Sequence, residues 1–161
     1  MAALLRFVHL LALGLWVGSV VFFSFFAAPS LFGALPRDMA GRAVSAIFPR
    51  YYAFGSVCGV LALLSGLLLG AKQAAFGRLL VIEIVLVAVM SGIVLYAGRV
   101  VLPRASQARQ ALAQVQEGTP GYDDTQARFA ALHRRSVLLN GAVLLLGIAA
   151  FALAAVQRPP R

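Results

Sequence analysis

The sequence predicts an all-α integral membrane protein: a four-helix bundle carrying a short interfacial helix and an extramembrane helical hairpin. Three observations lead there. Hydrophobic types make up 61% of the 161 residues and charged types only 12%, against about 45–50% and about 25% in an ordinary soluble domain. Mean hydropathy is +0.90. The apolar residues gather into four long runs, each able to cross about 30 Å of hydrocarbon as a helix. A soluble globular domain and a disordered chain are both excluded.

The first run, 7–28, is broken only by His9 and Ser24. It is longer than the core of a secretion signal and ends in bulky Phe22, Phe23, Phe25 and Phe26 before Pro29, so it is expected to stay on the chain as a span. The second, 51–71, has no charge and opens on Tyr51 and Tyr52, residues suited to the membrane–water boundary. The third, 79–102, contains Glu83 and, near its end, Arg99. The fourth, 137–156, leads into the basic tail that ends at Arg161. Helices are the open-ended solution in lipid, because they satisfy their own backbone polar groups.

Two connections carry structure of their own. In 37–48, Met39, Ala43 and Ile47 recur at helical spacing with Val44 and Phe48 beside them, while Arg37, Asp38 and Arg42 point elsewhere. This predicts an amphipathic helix lying in the interface and stopped by Pro49. Residues 103–136 form two helical stretches around Gly118-Thr119-Pro120-Gly121, with Asp123 and Gln126 arranged as a capping box for the second. The third and fourth spans are therefore expected to project from the membrane as a hairpin.

Four spans bring both termini to one side, here side A. Side A carries Arg6, Lys72, Arg78, Arg158 and Arg161, whereas side B carries the nine other arginines. The positive-inside rule then puts side B in the cytoplasm and the termini outside. The net charge is +9, with one Lys among 14 basic residues. These cations flank the spans, where they orient the chain and meet anionic lipid, so the lipid bilayer is the expected partner and nucleic acid is not. The Arg, Ala, Leu and Gly usage fits a bacterium with a GC-rich genome, and hence its cytoplasmic membrane. Cys58 is the single cysteine, so no intrachain disulfide can form.

Small residues recur four apart at Gly14 and Gly18, Gly55 and Gly59, and Gly66 and Gly70. Such pairs let helices approach closely. They serve packing within the chain or, alternatively, contact with a second copy or a membrane partner.

Ionisable residues inside spans cost about 2.5–3.5 kcal/mol near the centre and are functional candidates by default. One cluster comprises His9, Trp16 and Glu83. His9 and Trp16 share a helix face, and the first and third spans both start at side A, so His9 and Glu83 lie at similar depth. They form a hydrogen-bonded ion pair or a proton-accepting site, or else stay apart, with His9 at the interface and Glu83 reaching toward Arg78 or Lys72. The second cluster lies at side B, where His133, Ser136 and Asn140 share one face, Tyr96 and Arg99 end the third span, and Tyr52 opens the second. These form either a binding mouth or a set of interhelical hydrogen bonds within an aromatic belt.

His9 and His133 belong to opposite rims, so one haem cannot take both. Three Met, one Cys and no C-x-x-C argue against a copper pathway. No metalloprotease, phosphate-loop or nucleophile-elbow motif occurs, so no catalytic residue, metal or cofactor is assigned.

The segments His9–Gly18, Val21–Phe32, Ile47–Tyr52 and Phe129–Ser136 with Asn140 resemble the transmembrane protein 205-like family, many of whose bacterial members are described only as a domain of unknown function. That resemblance implies four membrane helices and no established enzymatic activity. The His9–Trp16 stretch is also similar to copper-resistance membrane proteins of the D type. From the residues, the expected function is binding or transport of a small solute, lipid or ion through the side B mouth. The alternative is a structural or partner-binding subunit, with a haem- or copper-associated role a further possibility.

Overall fold

The computed structural model describes residues 2–72 and 77–157. Helix α1 (Ala2–Phe22) passes through a π turn at Phe23–Ala27 into α2 (Ala28–Ala34). Helix α3 (Arg37–Lys72) returns, α4 (Arg78–Tyr96) crosses again, and a second π turn at Ala97–Val101 leads into α5 (Leu102–Gln114). Helix α6 (Tyr122–Val156) is the last element among the described residues. The four continuous helical units are 33, 36, 37 and 35 residues long, and all are apolar enough to cross a membrane. The protein is thus a multi-pass, all-α membrane bundle. At 1.5 Å per residue each unit reaches about 50–55 Å, well beyond the hydrocarbon layer.

Neighbours around the bundle are α1 with α3, α3 with α4, α4 with α6 and α6 with α1, which closes a ring of four. Its centre is filled by Leu13, Trp16, Val20, Val87 and Met90, all buried. The outer faces are apolar as well: Leu138 is 68% and Leu145 71% exposed, values suited to lipid contact and not to water.

Both π turns have the same cause. Each ends two residues before a proline, Pro29 or Pro103, whose ring would strike the carbonyl four residues back in a regular helix. Widening the turn redirects the backbone: the Ala28 N–H donates to the Phe23 carbonyl, and the Leu102 N–H to the Ala97 carbonyl. The helices therefore run on through both prolines, and the first span does not stop at Pro29.

Two expectations are corrected. Pro49 does not end an interfacial helix; it lies inside the unbroken 36-residue α3. Proline removes one backbone donor, and packing on either side keeps the helix continuous. The buried stripe is Ala40 and Val44, while Met39 and Ile47 face outward. Arg109 of α5 holds this extension by donating to the Asp38 carbonyl at 2.7 Å and to Ser45 Oγ at 2.8 Å. The capping box at Asp123 also does not form. Gly121, at φ 91°, occupies the N-cap, and the Thr125 hydroxyl donates to the Gly121 carbonyl instead. A glycine accepts that left-handed conformation without a Cβ penalty. The hairpin itself is present, built from α5 and the first turns of α6.

Candidate functional site

His9 sits two turns into α1 and Glu83 little more than one turn into α4. Both are buried, at 3% and 1% exposure, and His9 Nε2 meets Glu83 Oε1 directly. Close approach of α3 allows this. A Cβ on Gly66 would lie 3.2 Å from the imidazole, so only a glycine leaves the ring its full space. Across the ring, His9 Nδ1 is 3.0 Å from the Ala62 carbonyl and 2.9 Å from Ser65 Oγ.

These contacts constrain where the protons of the site sit. A carbonyl only accepts, and the Ser65 hydroxyl is spent on the Leu61 carbonyl at 2.6 Å. Nδ1 must therefore carry hydrogen. The Nε2–Oε1 contact then needs one more proton, held either as imidazolium and carboxylate or as imidazole and carboxylic acid. Either way the pair is neutral overall, which is how two ionisable groups tolerate burial in an apolar bundle. The second carboxyl oxygen accepts from Gln157 Nε2 at 2.5 Å. Arg6 in turn donates to the Gln157 carbonyl, and at 3.5 Å to that of Ala154, so it caps the end of α6.

A pocket of about 650 Å³ reaches this pair from the end of the bundle that bears Ala2 and Gln157. Its walls include Leu10, Leu69, Leu79 and Leu80; Arg6 and Arg78 also line it. Trp16, the third member of this cluster, is buried one step deeper. Its indole lies over Gly55 and Gly59, where added Cβ atoms would come within 3.0 and 3.1 Å of it. It plugs the bundle beneath the pair and does not line the pocket.

At side B the residues separate into two groups. Asn140, Ser136 and Tyr52 face inward: Tyr51 donates to Asn140 Oδ1 at 2.6 Å, Asn140 Nδ2 donates to Ser24 Oγ at 2.9 Å, and Tyr52 and Ser136 hydroxyls stand 3.3 Å apart. Phe23 and Phe48 stack around these tyrosines. The other residues do not join them. His133 is exposed and lies beside Phe129, Arg99 is exposed, and Tyr96 is covered by the Arg135 guanidinium at 5.3 Å. The inward residues satisfy one another and fill the space between α1, α3 and α6.

His9 lies near Ala154 on α6, and His133 is about 30 Å back along that same helix. The two imidazoles are thus at opposite ends. Among the described residues no group of three or more His, Cys, Asp or Glu side chains is placed to hold a metal ion. Sequence reasoning missed Ser65, Gln157 and Arg6 at the pair. Ser65 falls one turn from Leu61 on the face that also bears Ala62, a weak polar signal inside an apolar run.

No solved structure matches the chain. An uncharacterized protein of Aquifex aeolicus (strain VF5) is 39% identical over 54 residues, which cover 34% of this chain and 41% of that protein. The chain thus matches less than half the length of that relative. The family described as a domain of unknown function (DUF4149) matches residues 11–114, spanning the first three membrane helices and α5. The chain belongs to the DUF4149 family.

Proposed function

We propose that this protein is a membrane-embedded binding protein whose ligand enters from the terminus-bearing side and is met by the proton shared between His9 and Glu83. The observation that carries the reading is a buried imidazole–carboxylate pair at the base of a 650 Å³ pocket. Leucine walls and guanidinium groups suit a small amphipathic weak acid. The shared proton gives such a ligand a partner whose charge arrangement changes when the ligand docks. The side B cluster is less suited to binding, because Asn140 already has both Tyr51 and Ser24 as partners.

Between the two polar clusters lie Leu13, Trp16 and Met90, all fully buried. The resting arrangement is closed, and transport would require these residues to repack. The likeness to the transmembrane protein 205-like family belongs to this reading and brings no activity with it.

Infrared difference spectroscopy in lipid nanodiscs tests the proposal. The Glu83 carboxyl band, assigned by its loss in Glu83→Gln, should shift when short-chain carboxylic acids are added. Filling the pocket with Leu80→Trp should abolish the shift. A wild-type band indifferent to every acid tried would remove the reading.

A second reading has its own observation. Added Cβ atoms on Gly18, Gly92 and Gly141 would meet nothing within 4 Å, so these outward small residues leave flat faces where another membrane helix can approach. In-membrane crosslinking from cysteines at these positions distinguishes a partner-binding subunit from a monomeric binding protein.

A further inference from the structure

A second groove, of about 720 Å³, runs between α5 and the first turns of α6, outside the apolar stretches. Arg104, Arg128 and Arg135 line it with Gln107, Thr125 and a single carboxylate, Asp124. Arg128 and Arg135 are seven residues apart and so share one helix face, about 10 Å from end to end. Among the described residues none of the three arginines is ion-paired. Arg109, on the same helix as Arg104, is instead committed to Asp38 and Ser45.

The level of the groove in the fold decides what it meets. Arg135 lies over the ring of Tyr96, the last residue of α4, and the apolar part of α6 begins at Val137. Arg104 follows the second π turn by only three residues. Arg104 and Arg135 therefore stand where the hydrocarbon ends, and Arg128 stands further out. Ala108, Ala111 and Ala131 also line the groove and leave room between the guanidinium forks.

We infer that this groove binds a phosphate-bearing anion, supplied by an anionic phospholipid of the adjoining leaflet. Guanidinium forks match phosphate oxygens in pairs of hydrogen bonds, and the two inner arginines are at headgroup level. Gln107 and Thr125 add neutral donors for a phosphodiester or glycerol oxygen.

Native mass spectrometry of the full chain tests this, with phosphatidylglycerol titrated against phosphatidylcholine. Wild type should retain phosphatidylglycerol preferentially. Replacing Arg104, Arg128 and Arg135 together by Gln should weaken retention roughly a hundredfold, at about fivefold per charge. Replacing Arg37, Arg42 and Arg50 by Gln removes the same charge from the same side but no groove contact, so it should weaken retention clearly less than the groove variant does. Equal loss in both triple variants, or no preference in wild type together with no effect of inorganic phosphate, would overturn the inference. If inorganic phosphate stabilises wild type but not the groove variant, and phosphatidylglycerol is not preferred, the anion site stands and its source is soluble. Arg128→Gln alone, an exposed change clear of the membrane, gives the same comparison should the triple variant fail to fold.

Discussion

His9 and Glu83, 74 positions apart in the chain, are hydrogen-bonded to each other inside a bundle whose other central residues are almost all apolar. The pair is held from three directions: the Ala62 carbonyl and Ser65 on α3, and Gln157 at the end of α6. A contact of this kind is sensitive to the removal of one partner and much less so to its neutral replacement, because an uncompensated buried charge is the costly outcome.

Glu83→Ala should therefore destabilise the protein by about 3–5 kcal/mol, the range for breaking a buried pair. Glu83→Gln keeps the shape and donates to a neutral His9 Nε2, so it should cost less than half as much. Thermal unfolding in detergent of the two variants checks the contrast, and equal losses would show that size rather than charge governs the site.

The glycines divide by what lies opposite them. A Cβ on Gly59 would fall 2.6 Å from Ser91 Oγ and 3.1 Å from the Trp16 ring, whereas one on Gly18 meets nothing within 4 Å. Gly59→Ala should destabilise by about 1–3 kcal/mol through overpacking. Gly18→Ala should be neutral or stabilising by up to about 1 kcal/mol, from helix propensity. Unfolding midpoints of the two single variants decide the matter.

Asn140 joins α6 to α3 through Tyr51 and to the first π turn through Ser24. Interhelical hydrogen bonds in membranes contribute about 0.6 kcal/mol each, up to about 1.7. Asn140→Ala should then lower stability by about 1–2 kcal/mol, while His133→Ala, at an exposed position, should leave it unchanged. Chemical unfolding in mixed micelles measures both.

Arg109 fastens the hairpin to the extension of α3, and its guanidinium lies against Gly41, where a Cβ would come within 2.7 Å. Arg109→Ala should raise amide exchange in residues 37–48 and 102–114 severalfold without altering exchange near Leu13 and Met90. Uniform exchange changes across the chain would instead point to global destabilisation.

Much of this architecture is legible before any coordinates. Apolar runs long enough for the bilayer, an even number of crossings, and the depths of His9 and Glu83 follow from helix rise and hydrocarbon thickness alone. The rotation of each helix about its axis does not. In a soluble helix the polar face marks the outside, but here lipid-facing and core-facing sides are both apolar, so periodicity cannot separate Met39 and Ile47 from Ala40 and Val44. The same ambiguity hides which side B residues turn inward. Two π turns shift the helical phase before Pro29 and Pro103; the first contains Ser24, which meets Asn140, and in the second Gly98 packs against Tyr52. Composition, run length and the placing of charges are enough to specify a membrane bundle with an ionisable residue near each end. Only the packed structure decided that one end closes on its own hydrogen bonds while the other keeps a pocket over the buried His9–Glu83 pair, because helix rotation and close glycine contacts are properties of neighbours and not of any single run of residues.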